Sequence, residues 1–97
     1  MIIKLDKKFY NLAKTVDFTE LEDKIRFIDA SFSIELDEVP VKLIDYLGEE
    51  FEKPSIDALL DCIGDEVVES GLSDDQNTIL QRGQDLYNLY DIIYYNL

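Results

Sequence analysis

The chain contains no histidine and no tryptophan, and its only cysteine is Cys62. Without imidazole there is no usual general base near neutral pH, and no triad of the Ser-His or Cys-His kind. A single thiol cannot close an internal disulfide, which fits a reducing cytoplasm. A structural zinc site needs several Cys or His ligands that the chain does not have. Glycine-rich phosphate loops are missing, and so is the Asp-x-Asp-x-Asp-Gly run of a calcium loop with its closing Glu. The expectation is a protein that is not an enzyme, with no cofactor and no metal site.

Positive charge is also scarce, with 9 Lys and Arg against 22 Asp and Glu and a formal net charge of −13. Such an excess opposes the compact state by self-repulsion and disfavours direct nucleic-acid binding. No apolar run approaches the ~18–20 residues of a membrane span. The opening stretch MIIKLDKKFY returns to charge too soon for a signal peptide. These features lead us to expect a cytoplasmic protein with no membrane contact.

The composition is nevertheless that of a folded chain, 46% apolar and 11% aromatic. Its 97 residues suit one globular domain, 1–97, with one modest core. Helical periodicity fills most of the space between Gly48, Pro54 and Gly71. A first helix is expected over about 6–15, with Asp6 as N-cap and Phe9, Leu12 and Ala13 on one face. Thr19-Glu20-Leu21-Glu22 has the form of a capping box and opens a second, with Leu21, Ile25, Ile28 and Phe32 at helical spacing. Phe32-Ser33-Ile34-Glu35-Leu36 alternates like a strand instead, so this stretch is either a helix end or an extended segment beside Ile2–Leu5.

Pro40 fits the first turn of a helix that stops at Gly48. Ser55 and Gly71 bracket another, with Gly64 inside it at a cost of about 1 kcal/mol against Ala. A capping box at Ser73 and Gln76 starts the last helix. Its stripe is Ile79, Gly83, Leu86, Tyr90, Ile93 and Leu97, flanked by Leu80, Tyr87 and Tyr94, which core packing explains. The fold expected from these patterns is a compact all-α bundle of four or five helices, with a possible short extended segment near 32–36.

The charge is unevenly placed. Residues 1–34 hold six acids and six bases, whereas residues 35–75 hold fourteen acids against Lys42 and Lys53, a net of −12. Within the 55–71 helix, Asp57, Asp61, Asp65 and Glu69 recur every four residues with no Lys or Arg between them. Like charges at that spacing cost an isolated helix roughly 0.2–0.5 kcal/mol per pair. At about 100° per residue these four acids lie opposite Ile56, Leu59, Leu60, Ile63 and Val67. They are spaced about 6 Å apart along the axis. With Glu49, Glu50, Asp74 and Asp75 near in sequence, they form a candidate surface for a basic protein, whose approach would relieve the repulsion. A solvated face is the alternative reading of the same acids.

Near the C-terminus, Tyr95 and Ile92 fall outside the apolar stripe, at roughly 160° and 220° from Ile79, and are candidate interface anchors. The segment Asp91-Ile92-Ile93-Tyr94-Tyr95 resembles the acid–aliphatic–Ile–Tyr–Tyr–Pro stretch of immunity proteins against colicin-type DNases, with Asn96 in place of the Pro. In kind, the chain is similar to small acidic bacterial toxin-immunity proteins, including those that accompany contact-dependent inhibition toxins. That resemblance implies a mode of action in which an acidic surface covers the basic substrate groove of a cognate toxin, such as a nuclease. Two alternatives use the same features. One is a nucleic-acid mimic acting on restriction or other nucleic-acid-binding proteins, and the other is a helical adaptor that self-associates through its last helix. A monomer is expected under the first reading.

Overall fold

A computed structural model describes residues 1–96 of the chain. The architecture is mixed α and β, which corrects the expected all-α bundle. In chain order the elements are β1 (Ile2–Lys4), α1 (Lys7–Ala13), β2 (Ile25–Ile28), β3 (Ser33–Leu36), β4 (Val41–Ile44), β5 (Glu50–Lys53), α2 (Ser55–Ser70) and α3 (Gln81–Tyr95). Single 3-10 turns cover Thr19–Leu21 and Asp29–Ser31.

The extended segment near 32–36 is β3, the centre of a three-stranded antiparallel sheet in the order β1-β3-β2. One row across it, Ile3–Ile34–Phe27, faces the core, and the next row, Ile2–Glu35–Arg26, faces outward. There Arg26 Nη2 donates to Glu35 Oε2 at 2.7 Å. The second helix expected from Thr19 onward does not form. Phe18 stands at the cap position without a side-chain cap, Asp17 accepts from the Thr19 amide at 3.0 Å, and only one tight turn follows. The β-branched and aromatic run Ile25-Arg26-Phe27-Ile28 then pairs with β3, a geometry that suits such side chains.

The helix expected between Pro40 and Gly48 is replaced by a hairpin, β4–β5, in which Leu43 pairs with Phe51 and Ile44 with Glu50. Its loop is Tyr46-Leu47-Gly48, between Asp45 and Glu49. The Asp45 carbonyl accepts from Gly48 N at 3.0 Å, and Asp45 N donates to Glu49 O at 2.9 Å. Gly48 has a φ of +80°. A turn followed by a left-handed glycine is a common three-residue hairpin closure, so Gly48 closes a hairpin instead of ending a helix. The last helix also starts later than expected. Ser73 and Gln76 belong to a loop, with Gln76 at a φ of +60°. The Ser73 amide donates to the Thr78 carbonyl at 2.8 Å, and Asp75 Oδ1 accepts from Ser73 Oγ at 2.5 Å. Leu72 and Ile79 form a single bridge across this loop.

α1 and α2 lie where periodicity places them, except that Ser55 is the first helical residue and Pro54 the cap. α3 folds back along α2, and the core is Leu59, Ile63 and Val67 against Leu86, Leu89 and Ile93, completed by Tyr10, Leu21, Ile34 and Leu36. Tyr87 and Tyr94, expected in the core, are about half exposed, and Ile79 and Leu80 are also exposed. Leu97, placed at the end of the apolar stripe, lies outside the described residues.

Tyr10 is buried against Phe27 and Phe32, and its hydroxyl donates to Asp29, which also accepts from Lys14 Nζ at 3.0 Å. Burial, together with the hydrogen bond and charge of Asp29, pushes the Tyr10 phenol up from 10.0 to about 12. The folded chain therefore holds this proton more tightly than the unfolded one. The stability Tyr10 contributes is complete below pH 10 and is lost as pH rises toward 12. Urea midpoints measured over that range should fall for the wild type and fall less for Tyr10→Phe.

α3 can lie so close to α2 because two glycines face each other. A Cβ built on Gly71 would sit 2.7 Å from Gly83 Cα, and one on Gly83 would strike the Gly71 carbonyl. Gly64, by contrast, has open space where a Cβ would go. Gly83→Ala should therefore destabilise the fold by about 2 kcal/mol or more. Gly64→Ala should stabilise it by about 1 kcal/mol. Equilibrium urea unfolding of the two variants checks both signs.

Candidate protein-binding surface

α2 buries Ala58, Leu59, Leu60, Cys62, Ile63 and Val67, so the apolar half of the helix is committed to the core. The four-residue spacing leaves Asp57, Asp61, Asp65 and Glu69 all exposed on the other half. The 3-10 turn at Thr19–Leu21 packs beside α2, anchored by the fully buried Leu21. It carries Asp17 and Glu20 onto the same surface. Between turn and helix runs a cleft of about 140 Å³ lined by Asp17, Thr19, Glu20, Cys62, Asp65, Glu66 and Glu69. Seven carboxylates thus gather here, and three of them (Asp17, Glu20 and Glu66) are not singled out by spacing along the chain. Residues 1–34 balance to zero only as a sum. The four lysines among the first fourteen residues mask the acids that the fold brings to α2.

Two cations reach this surface. Lys53 at the end of β5 donates to Asp61. Its ammonium pKa is raised first by that hydrogen bond, and also by the charges of Asp61, Glu20 and Asp57. Arg82 at the start of α3 is a three-way clamp. Its Nη2 meets Glu66 Oε1 at 3.0 Å, its Nε meets Ser70 Oγ at 2.8 Å, and its Nη1 meets Thr15 Oγ1 at 2.8 Å. The chain itself therefore relieves part of the repulsion, which corrects the expectation that only a partner would. Among the described residues, Asp17, Glu20, Asp57, Asp65 and Glu69 have no Lys or Arg within 4.0 Å.

The flanking candidates divide. Glu49 and Glu50 are exposed at the hairpin, and Asp74 is exposed in the loop beyond α2. The Asp75 carboxylate is occupied by Ser73 and by the Asn77 amide at 3.0 Å, and these hydrogen bonds lower its pKa. Asp75 thus holds its own loop. Ile92 is half-buried and packed against the core, not exposed as expected. Tyr95 is 79% exposed and meets Tyr94 edge-on, at 5.2 Å between ring centroids. The last turn of α3 adjoins β1, where Ile93 and Asn96 share a hollow with Met1–Lys4. Tyr95 and Ile92 thus differ in exposure, Tyr95 open to solvent and Ile92 half-buried.

Among the described residues, no helix is long and apolar enough to cross a membrane, and no group of three Cys, His, Asp or Glu is placed to hold a metal ion.

Cys62 lies at the edge of the acidic cleft and senses it. Burial pushes its thiol up from 9.0 to about 11, with further contributions from Glu20, Asp65, Asp17 and Asp61. A rise of that size leaves about 100-fold less thiolate at pH 8 than in the unfolded chain. Modification by a thiol-specific disulfide reagent should be slower in the native protein by about tenfold or more, since a thiolate of higher pKa is also more nucleophilic. Asp65→Asn should speed the native reaction by lowering the thiol pKa. An unchanged rate in this variant would remove Asp65 from the causes of the shift.

Comparison with protein-family models, curated proteins and solved structures finds no match.

Proposed function

We propose that this domain is an inhibitor of the immunity-protein kind, which binds one cognate basic protein, a toxin nuclease domain, and covers its substrate groove. The observation that carries this reading is the exposed, largely unpaired row Asp57, Asp65 and Glu69, widened by Asp17 and Glu20 across the cleft. A surface of this kind has a strongly negative field. It accelerates encounter with a basic groove and repels acidic bystanders. The acids are held on a rigid helix whose other half is core. They need no rearrangement to meet a partner, so less binding energy is lost to ordering.

Specificity for one partner would come from the two internal cations, which break the row into a pattern. Lys53 pairs with Asp61 in the middle of the row, and Arg82 pairs with Glu66 beside it, nearer the end of the helix. A partner whose cations fall opposite Asp57, Asp65 and Glu69 is favoured over one with uniform positive charge.

The neighbouring reading frame is expected to encode a protein ending in a basic toxin-like domain. Producing that domain should arrest growth, and co-producing the wild-type chain should restore it. The double variant Asp61→Lys/Asp65→Lys should abolish rescue. The association rate of the wild type should fall about tenfold or more between low and high salt. Equal affinity of the wild type and the charge-reversed variant in a titration would remove this function. Unrelated nucleases should be untouched, which separates a dedicated inhibitor from a general nucleic-acid mimic.

A further inference from the structure

The β4–β5 hairpin presents apolar side chains to solvent. Tyr46 is 94% exposed, Ile44 70%, Leu47 67% and Phe51 41%. A two-stranded hairpin on its own is marginal in water, and exposing its largest side chains does not stabilise it. The loop is nevertheless firmly held. Asp45 Oδ1 accepts from the amides of both Leu47 and Glu49 at 2.9 Å, in addition to the two backbone bonds that close the turn. The backbone that carries Tyr46 and Leu47 is therefore held in place, while their side chains are mostly exposed.

The hairpin is also tied to the acidic surface. The tie is at the hairpin's base, where Lys53, opposite Val41 and at the far end of β5 from the tip, is paired to Asp61 on α2. Glu49 and Glu50 flank the apolar tip, and further down the hairpin Glu52 lies opposite Lys42. A second copy of this chain is a poor occupant, because it would bring the same acids against one another on a chain of charge −13. The charge complement is a surface with an apolar hollow rimmed by Lys and Arg.

We propose that Tyr46 and Leu47 at the hairpin tip are the apolar anchor of the interface, inserting into a basic-rimmed pocket of the same partner that α2 engages. This rests on the inhibitor function, with a division of labour between the two surfaces. The acids of α2 and its cleft set the rate of encounter, and the hairpin tip sets the lifetime of the complex.

The test is site-specific photo-crosslinking in the cell that encodes the protein. p-Benzoylphenylalanine is placed at Tyr46 or at Val68, which is exposed beside Asp65 and Glu69 on α2. Each is made with and without Asp61→Lys/Asp65→Lys. The expected result is an adduct from position 46 with a basic protein that also forms an adduct from position 68, both lost on charge reversal. With that protein purified, Tyr46→Ala and Leu47→Ser should speed dissociation about tenfold or more and leave association within about twofold. A charge-dependent adduct from position 68 with none from 46 would overturn the hairpin anchor and leave the inhibitor function standing. No charge-dependent adduct from either position would overturn both. An adduct from position 46 with a second copy of this chain would also overturn the anchor.

Discussion

The contact on which the rest of the structure depends is the one between Gly71 and Gly83. Two residues without side chains let the end of α2 and the start of α3 meet backbone to backbone. That contact fixes α3 along the apolar half of α2. It brings Arg82 within reach of Glu66, Ser70 and Thr15, tying both helices to the end of α1. With the apolar half of α2 buried in this way, its acids can only face outward. The acidic surface is thus a by-product of how tightly the two helices are joined.

Some of this is legible in the sequence. The extent of α2 and the outward position of its four acids follow from period and end signals alone, because a long amphipathic helix is specified locally. The β-structure is not legible in the same way. A glycine in the left-handed region can end a helix or close a hairpin, and Gly48 gives the same local signal for both. What decides is whether Val41–Ile44 finds an antiparallel partner, and that partner, Glu50–Lys53, is too acidic to read as a strand by itself. At Thr19 the capping box does not form, because the Thr19 hydroxyl bonds back to Asp17 and the turn stops after three residues. Asp17 and Glu20 are hidden from any count of charge along the chain, because the field adds up in space.

The charges form two populations with different physical roles. Asp29, Asp75 and Glu66 are held by specific donors and stabilise local structure. Among the described residues Asp57, Asp65, Glu69 and Glu20 lack cationic partners and give the surface its field, and Asp17 belongs to both groups, held by Thr19 yet without a cation. Sequence spacing cannot separate these populations, because a carboxylate's role depends on which donor the fold brings to it. Ile92 and Tyr95 show the same for apolar residues. They are three positions apart on one helix, yet one packs against the core and the other points into solvent.

Lys53 has a consequence of a different kind. Its ammonium sits among Asp61, Asp57 and Glu20, so the middle of the acidic row already has an occupant. Any incoming cation must displace or avoid that resident charge, which is covalently attached and therefore always present at high local concentration. Small monovalent cations meet this competition singly and gain little. A folded protein that offers several cations at fixed spacing can use the unoccupied acids on either side and leave Lys53 in place. The built-in cation thus acts as a threshold that sorts ligands by how many charges they present together.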